Sequence, residues 1–483
     1  MPGRVVAFSV VLTLAGVLTH SLAIYSRLFV LAIAALIFIA GTFRRSLGLH
    51  PEYGFLAVAL ICGSLLSVSE PKSYSSWDER THYKKAEYYA SLFFRTMHFR
   101  PNIVPSSSSL EEQHRIDATV DSSYALLKRI PAKRTFWYSE VAYLPSALMI
   151  AAGNGIRLPH HLVFTLGRWI NLVLFSFVVF LAIRKLITGK MILAVVALFP
   201  TSIFLASNYN YDSWVTAFTM LGCAYLFSEL QQPGKKLSLC DMCVILGAFV
   251  LGLGPKAIYF PLLFLPFLFK PEKFTSPRQH RYFTYAVVSA LLFVISSFVL
   301  PFVFFGMWGD DKRGGDSVNS VEQIRFILTD PVAYAKILFH FMVRYVHPLN
   351  ASGYMTIFGY FGEVKGFWLL LTTVFVVVVS DNETRDDHAT PWRVRFSVIG
   401  VFIATVALIA TALYVSFTPV RCAGIAGVQP RYLIPLVFPL LYVLGSSRLK
   451  IGLNRNVSHL LFFAVMASVL LQGIWDKITC HYY

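Results

Sequence analysis

Apolar runs recur along this chain from Val5 to Gly473, broken by short polar stretches. Most are about 16 to 24 residues long, and a helix needs roughly 20 such residues to cross a hydrocarbon core. The pattern predicts spans over roughly 5–24, 28–43, 53–68, 138–156, 162–183, 190–206, 213–230, 237–253, 257–270, 282–305, 331–349, 364–380, 394–416, 431–446 and 457–473. Of these, about 12 to 15 are expected to cross. Lipid-exposed backbone must satisfy its hydrogen bonds within each segment, so the expected fold class is all-α, a polytopic transmembrane helical bundle. The period-2 alternation of an outer-membrane barrel is absent from the sequence. The run at 257–270 is short, and 331–349 carries Lys336, His340, Arg344 and His347, which suits an interfacial or cavity-lining helix.

One long polar stretch interrupts the pattern. It divides the chain into N-terminal helices (1–68), a large loop (69–137) and the main helical bundle (138–483). Within the loop, residues 78–96 read as helix, with aromatics at helical spacing and no Gly or Pro. Glu79, Tyr83, Glu87 and Ser91 share one face, and Asp78, His82 and Ala86 form the neighbouring stripe. Pro101 and Pro105 then break the helix. Further polar loops run from Met307 to Asp330, from Ser380 to Pro391 and from Thr418 to Pro430. With Arg4 and Arg44-Arg45 on the cytoplasmic side, three spans place the large loop outside. The same count puts Arg184-Lys185 outside, against the positive-inside rule, so one intermediate run is expected to be re-entrant or juxtamembrane.

Composition agrees. The 483 residues are 56% hydrophobic and only 14% charged, against about 25% charged in soluble domains. The net charge of +17 reflects Lys and Arg beside the spans, and no basic repeat or recognition helix suggests a nucleic-acid partner. Cys240 and Cys243 have CxxC spacing without a second Cys or His pair, so neither zinc nor redox chemistry is read there. The run 5–24 lacks a small-residue cleavage signature and reads as a retained helix. No phosphate-binding loop, metalloprotease or nucleophile-elbow motif is present.

Four places carry candidate chemistry. Asp78-Glu79 opens the loop helix beside Trp77, Tyr83, Tyr88 and Tyr89. Carboxylates there can act as general base or hold a divalent cation, and the aromatics can form a platform for sugar; a solvated helix N-terminus is the plainer reading. Asp212, at the start of a span, is either a buried functional acid or a helix-end residue beside Ser213. Lys256 lies between two apolar runs with no polar loop, placed to contact a lipid phosphate or to snorkel. Arg421, Gln429, Arg431 and Tyr432 surround the fourth loop, where an arginine fork suits phosphate and an interface anchor is the alternative.

Several segments together resemble a known family. WDERTHYKKAEYYA resembles the Asp-Glu-x-x-His-aromatic motif of the bacterial membrane proteins grouped as domain of unknown function 2142. SNYNYDSW and GPKAIYFPLL resemble its Tyr-x-x-Asp-Ser and Lys-Pro-x-Tyr segments, and NSVEQIRFILTDPVAYAKILFHF, FGYFG and GIAGVQPRYLIPLVFPLL its C-terminal half. Ala257 and Pro430 stand where that family often has Pro and Gly. The family is similar to C-type glycosyltransferases, which implies an integral-membrane enzyme of the bacterial cytoplasmic membrane with its active site facing outside. It implies a polyprenyl-phosphate sugar as donor and an envelope glycan or lipid as acceptor. Asp78 is then the catalytic carboxylate with Glu79 beside it. Lys256 and Arg431 contact phosphate, and His82, Tyr259, Asp212, Arg421, Gln429 and Tyr432 complete the substrate-binding set. No metal ligand set is assigned, and a divalent cation (Mg2+ or Mn2+) is an optional cofactor. The rival expectations are a transporter or flippase, with paired charges at mid-membrane and inverted repeats, and a polymerase or ligase of lipid-linked glycans that relies on arginines.

Overall fold

A computed structural model describes residues 24–70, 76–94, 97–98, 127–128, 137–305, 311–380, 391–445 and 454–479. The first expected span, 5–24, and most of the large loop lie outside these residues. The described chain is a helical bundle; Met97–His98 and Leu127–Lys128 form a two-residue antiparallel pairing.

Six helices among the described residues are long and apolar enough to cross a membrane: Arg27–Leu47, Pro51–Ser69, His160–Lys185, Pro277–Leu300, Trp392–Ser416 and Arg455–Ile478. That is fewer than the run count predicts, because several runs are not continuous helices. The run 190–206 breaks at Pro200, whose missing N–H and ring end the preceding helix, into Lys190–Ala197 and Pro200–Ala206. Every residue from 191 to 210 is buried, so this broken segment forms the centre of the bundle. The run 257–270 becomes a 3-10 segment, Ala257–Leu268, containing Pro261 and Pro266. Its tighter winding advances about 2.0 Å per residue, stretching a short sequence further than an α-helix would. The run 331–349 is half of an elbow, with Ser320–Thr329 and Pro331–Tyr345 meeting at 106°. Asp330 ends the first helix and caps the second, accepting from the Ala333 N–H at 3.0 Å, and Pro331 lacks the N–H that would continue a straight helix.

The run 138–156 is also corrected. It forms a 3-10 turn, Tyr138–Tyr143, followed by the 12-residue helix Leu144–Gly155. At about 1.5 Å per residue this helix is too short to cross, and it packs on Glu79–Phe94 and His160–Lys185. Taking it out of the count moves Arg184 and Lys185 to the opposite side and removes the discordance in the charge rule.

The helix Asp212–Leu230 separates two charged ends of the bundle. Near its C-terminus, the fully buried Glu229 side chain meets Lys185 at 2.8 Å, Lys235 at 2.5 Å and Lys273 at 3.4 Å. Its N-terminus carries Asp212, where the candidate residues gather. This helix packs closely on Leu239–Leu253: a side chain at Gly252 would meet Phe218 Cβ at 2.9 Å and the Thr219 backbone nitrogen at 3.4 Å. Neither atom is a flexible chain end. Gly252→Val is therefore expected to destabilise the protein by about 1–3 kcal/mol through overpacking, read as a lower unfolding midpoint in detergent.

Candidate functional site

The site is built on a buried charge knot. Arg168 lies two turns into His160–Lys185, with no exposed surface. Its Nε donates to Glu79 Oε1 at 2.8 Å and its Nη2 to Oε2 at 3.0 Å, a bidentate fork, while Nη1 stands 3.6 Å from Glu70 Oε2. Glu79 also accepts from the Ser76 backbone N–H (3.2 Å) and the Tyr209 backbone N–H (3.3 Å). Glu70 accepts from Asn208 Nδ2 at 3.1 Å. One guanidinium thus ties the end of Pro51–Ser69, the start of Glu79–Phe94 and the turn before Asp212. Glu79, expected beside Asp78 in the catalytic pair, is fully buried and held by donors of the protein.

That turn delivers Asp212 to two cations. Lys256 Nζ is 2.5 Å from Asp212 Oδ1, and Arg431 Nε is 3.2 Å from Oδ2. Asn210 Oδ1 accepts from the Ser213 N–H at 3.0 Å, leaving the Asp212 side chain free of the capping role. Lys256 ends the Leu239–Leu253 connection, with its ammonium 3.8 Å from the centre of the Tyr432 ring. Arg431 is set in the 3-10 turn Pro430–Leu433. Two tyrosines pin that turn: Tyr259 donates to the Tyr432 carbonyl and Tyr345 to the Gln429 carbonyl, each at 2.7 Å. Arg431 stacks over Trp77 at 4.6 Å. Its Nη1 is buried without a hydrogen-bond acceptor among the described residues, its Nε meets Asp212 as an ion pair without hydrogen-bond alignment, and Gln429 Oε1 is buried without a donor. One carboxylate faces two cations, so the cluster carries a net positive charge and unused arginine donors, which is a setting for an anion.

Asp78 is joined to this cluster through its chain neighbour Trp77, the ring over which Arg431 stacks. Its backbone is left-handed, with φ of 57°. Asp tolerates this conformation better than most residues, yet it needs surrounding bonds to persist. The Asp78 carbonyl accepts from the Thr81 and His82 N–H groups and starts the helix, while its half-exposed carboxylate turns to Arg313 Nη1 at 3.2 Å. Arg313 also grips Asp311, through Nη2 to Oδ2 at 2.7 Å, and that hydrogen bond holds the Asp311 carboxyl below the usual carboxylate range. His82 is buried between rings, its Nδ1 2.7 Å from the Tyr143 hydroxyl and its plane edge-on to Tyr211.

Other expectations are redistributed. Arg421 stands apart from the cluster: it is exposed, left-handed (φ 59°), and bonded through its N–H to Gln323 on the elbow. Tyr83 and Tyr89 belong to a small buried core with Phe164 and Tyr209, and among the described loop aromatics Trp77 is the one over which Arg431 stacks. Arg168, Glu70, Asn208 and Arg313 escaped the sequence reading. Only Arg168 carried a signal, as an arginine inside a span. Among the described residues no group of three His, Cys, Asp or Glu is placed to hold a metal ion.

Long apolar helices around buried, paired charges define a polytopic helical membrane protein. A family profile described as a predicted membrane protein, domain of unknown function 2142, matches residues 60–440, and the chain belongs to that family. No curated protein and no solved structure matches it.

Two predictions follow from the loop helix. At Asp78, glycine relieves the left-handed strain and alanine does not, so Asp78→Ala is expected to be less stable than Asp78→Gly by about 1 kcal/mol, measured by thermal unfolding. Burial pushes the His82 imidazole down to about 4 from its usual 6.5. The unfolded chain takes up a proton near 6.5 that the folded site refuses, so this part of the stability is complete above that pH and is lost as pH falls toward about 4. His82→Gln should show a shallower drop in unfolding midpoint over the same window.

Proposed function

We propose that this protein is a glycosyltransferase of the C-type fold class that moves a sugar from a polyprenyl-phosphate donor to an envelope glycan or lipid. The observation that carries the reading is the stacking of Arg431 on Trp77, beside Asp78, together with the Asp212 bridge that holds Lys256 next to Arg431. The Asp78 carboxylate and the Lys256–Arg431 pair share one end of the bundle. The acceptor hydroxyl gives its proton to the Asp78 carboxylate as its oxygen bonds to the anomeric carbon. The bond from that carbon to the donor phosphate oxygen breaks, and the electron pair stays on the departing polyprenyl monophosphate. Lys256 and Arg431 stabilise the charge that develops there.

The sidedness is part of the proposal. Arg184, Lys185, Lys190, Lys235, Lys236, Lys270 and Lys273 gather at the end opposite Asp78, and such an excess favours the cytoplasmic side. The site then opens outward, in the cytoplasmic membrane of a bacterium. Exposed cysteines lie at both ends, Cys422 in the loop near the site and Cys240 near the lysine cluster. In intact cells, a variant keeping only Cys422 should react with a membrane-impermeant maleimide. One keeping only Cys240 should react only after permeabilisation, and the reverse pattern overturns the orientation.

Activity is tested by release of polyprenyl monophosphate from a panel of polyprenyl-phosphate hexoses and pentoses, with a cell-envelope fraction as acceptor. Loss of a general base typically costs about 10²–10⁴-fold, so Asp78→Asn is expected to lose at least 10²-fold in kcat while binding of polyprenyl monophosphate persists. Arg431→Gln should weaken that binding. A polymerase relying on arginines would instead tolerate Asp78→Asn and fail at Arg421 or Arg431.

A further inference from the structure

We infer that Arg168 is a positioning residue that sets Asp78 against the Lys256–Arg431 pair, an inference that rests on the reading of Asp78 as the acceptor-activating carboxylate. The Asp78 carbonyl is held by the Thr81 and His82 N–H groups, but the carboxylate is not held as firmly. Its visible ion pair is with Arg313, whose side chain is 70% exposed, against 43% for Asp78, and such solvent-screened pairs hold geometry weakly. Its left-handed backbone also requires restraint from neighbouring bonds. That restraint comes from the next residue. Glu79 is clamped by both nitrogens of the Arg168 fork and in turn holds the Ser76 N–H, so the backbone is tethered on both sides of Asp78.

The same carboxylate takes the N–H of Tyr209, three residues before Asp212, and Glu70 takes the side chain of the adjoining Asn208. Asp212 is the group that gathers Lys256 and Arg431. Arg168 therefore stands between two segments that are far apart in sequence and sets the separation between base and cations. It touches none of the reacting groups. The planar fork is what the arrangement uses: lysine would keep the charge but deliver it from a point, without the two parallel bonds that orient Glu79. The Phe164 ring lies against the guanidinium at 4.6 Å and restrains its plane.

The test is a double-mutant cycle of Arg168→Lys and Asp78→Asn in purified, lipid-reconstituted protein. The readouts are polyprenyl monophosphate release from the same donor panel, binding of polyprenyl monophosphate alone, and the unfolding midpoint. A displacement of about 1 Å costs on the order of 10²-fold in rate. The expected result is that Arg168→Lys lowers kcat by about that factor, leaves binding of polyprenyl monophosphate within about twofold, and adds no further loss to Asp78→Asn. Should Arg168→Lys fold poorly, Glu79→Gln, which keeps the shape of the side chain and loses its charge, is expected to give the same non-additive pattern. Losses that multiply in the double variant, or a kcat within about threefold of the parent while the unfolding midpoint falls, would show a merely structural arginine and overturn the inference. Unimpaired release by Asp78→Asn alone would instead defeat the assignment of Asp78 and the inference with it.

Discussion

The fork between Arg168 and Glu79 is the interaction on which the rest of the arrangement depends. A charge in the interior of a helical bundle is tolerated only when it is paired and its hydrogen-bonding capacity is used. Arg168 meets that condition by drawing in Glu79 and Glu70, and the carboxylates then collect backbone and side-chain donors from Ser76, Asn208 and Tyr209. The chain at Glu70 and Glu79 and the turn at Asn208–Tyr209, far apart in sequence, are fixed together because neither can leave without stranding a buried charge.

A second buried acid, Asp212, acts differently. It faces two cations instead of one, so its pairing leaves positive charge and open arginine donors rather than a closed network. The knot at Arg168 is saturated and rigid, and the cluster at Asp212 is under-filled. The two groups of buried charge differ in how completely each is satisfied. The aromatic residues follow the same division, with Tyr83 and Tyr89 in the core and Trp77 and Tyr432 against the cations.

The adjacent carboxylates Asp78 and Glu79 show how much a single step along the chain decides. In sequence they are equivalent candidates. Glu79 is the first residue of the helix and Asp78 precedes it in a left-handed conformation, so one turns into Arg168 and the other toward Arg313 and solvent. Lys256 and Arg431 were recognisable as charges at the edges of apolar runs, but their sharing of one carboxylate was not. Arg421 looked the equal of Arg431 in its loop, yet the pinned turn at Pro430–Leu433 buries one and leaves the other on the surface.

The sequence by itself determined that the protein is an all-helical membrane bundle, where its large polar loop falls, and that Asp212, Lys256 and Arg431 stand as charges at the edges of apolar runs. Those properties follow from the price of exposing backbone and charge to lipid, which every segment meets locally. Tertiary structure decided which apolar runs are whole helices, because Pro200 and Pro331 act through the packing around them. It also decided which acid meets which base, since ion pairs 89 residues apart, as between Glu79 and Arg168, depend on distances that no local pattern encodes.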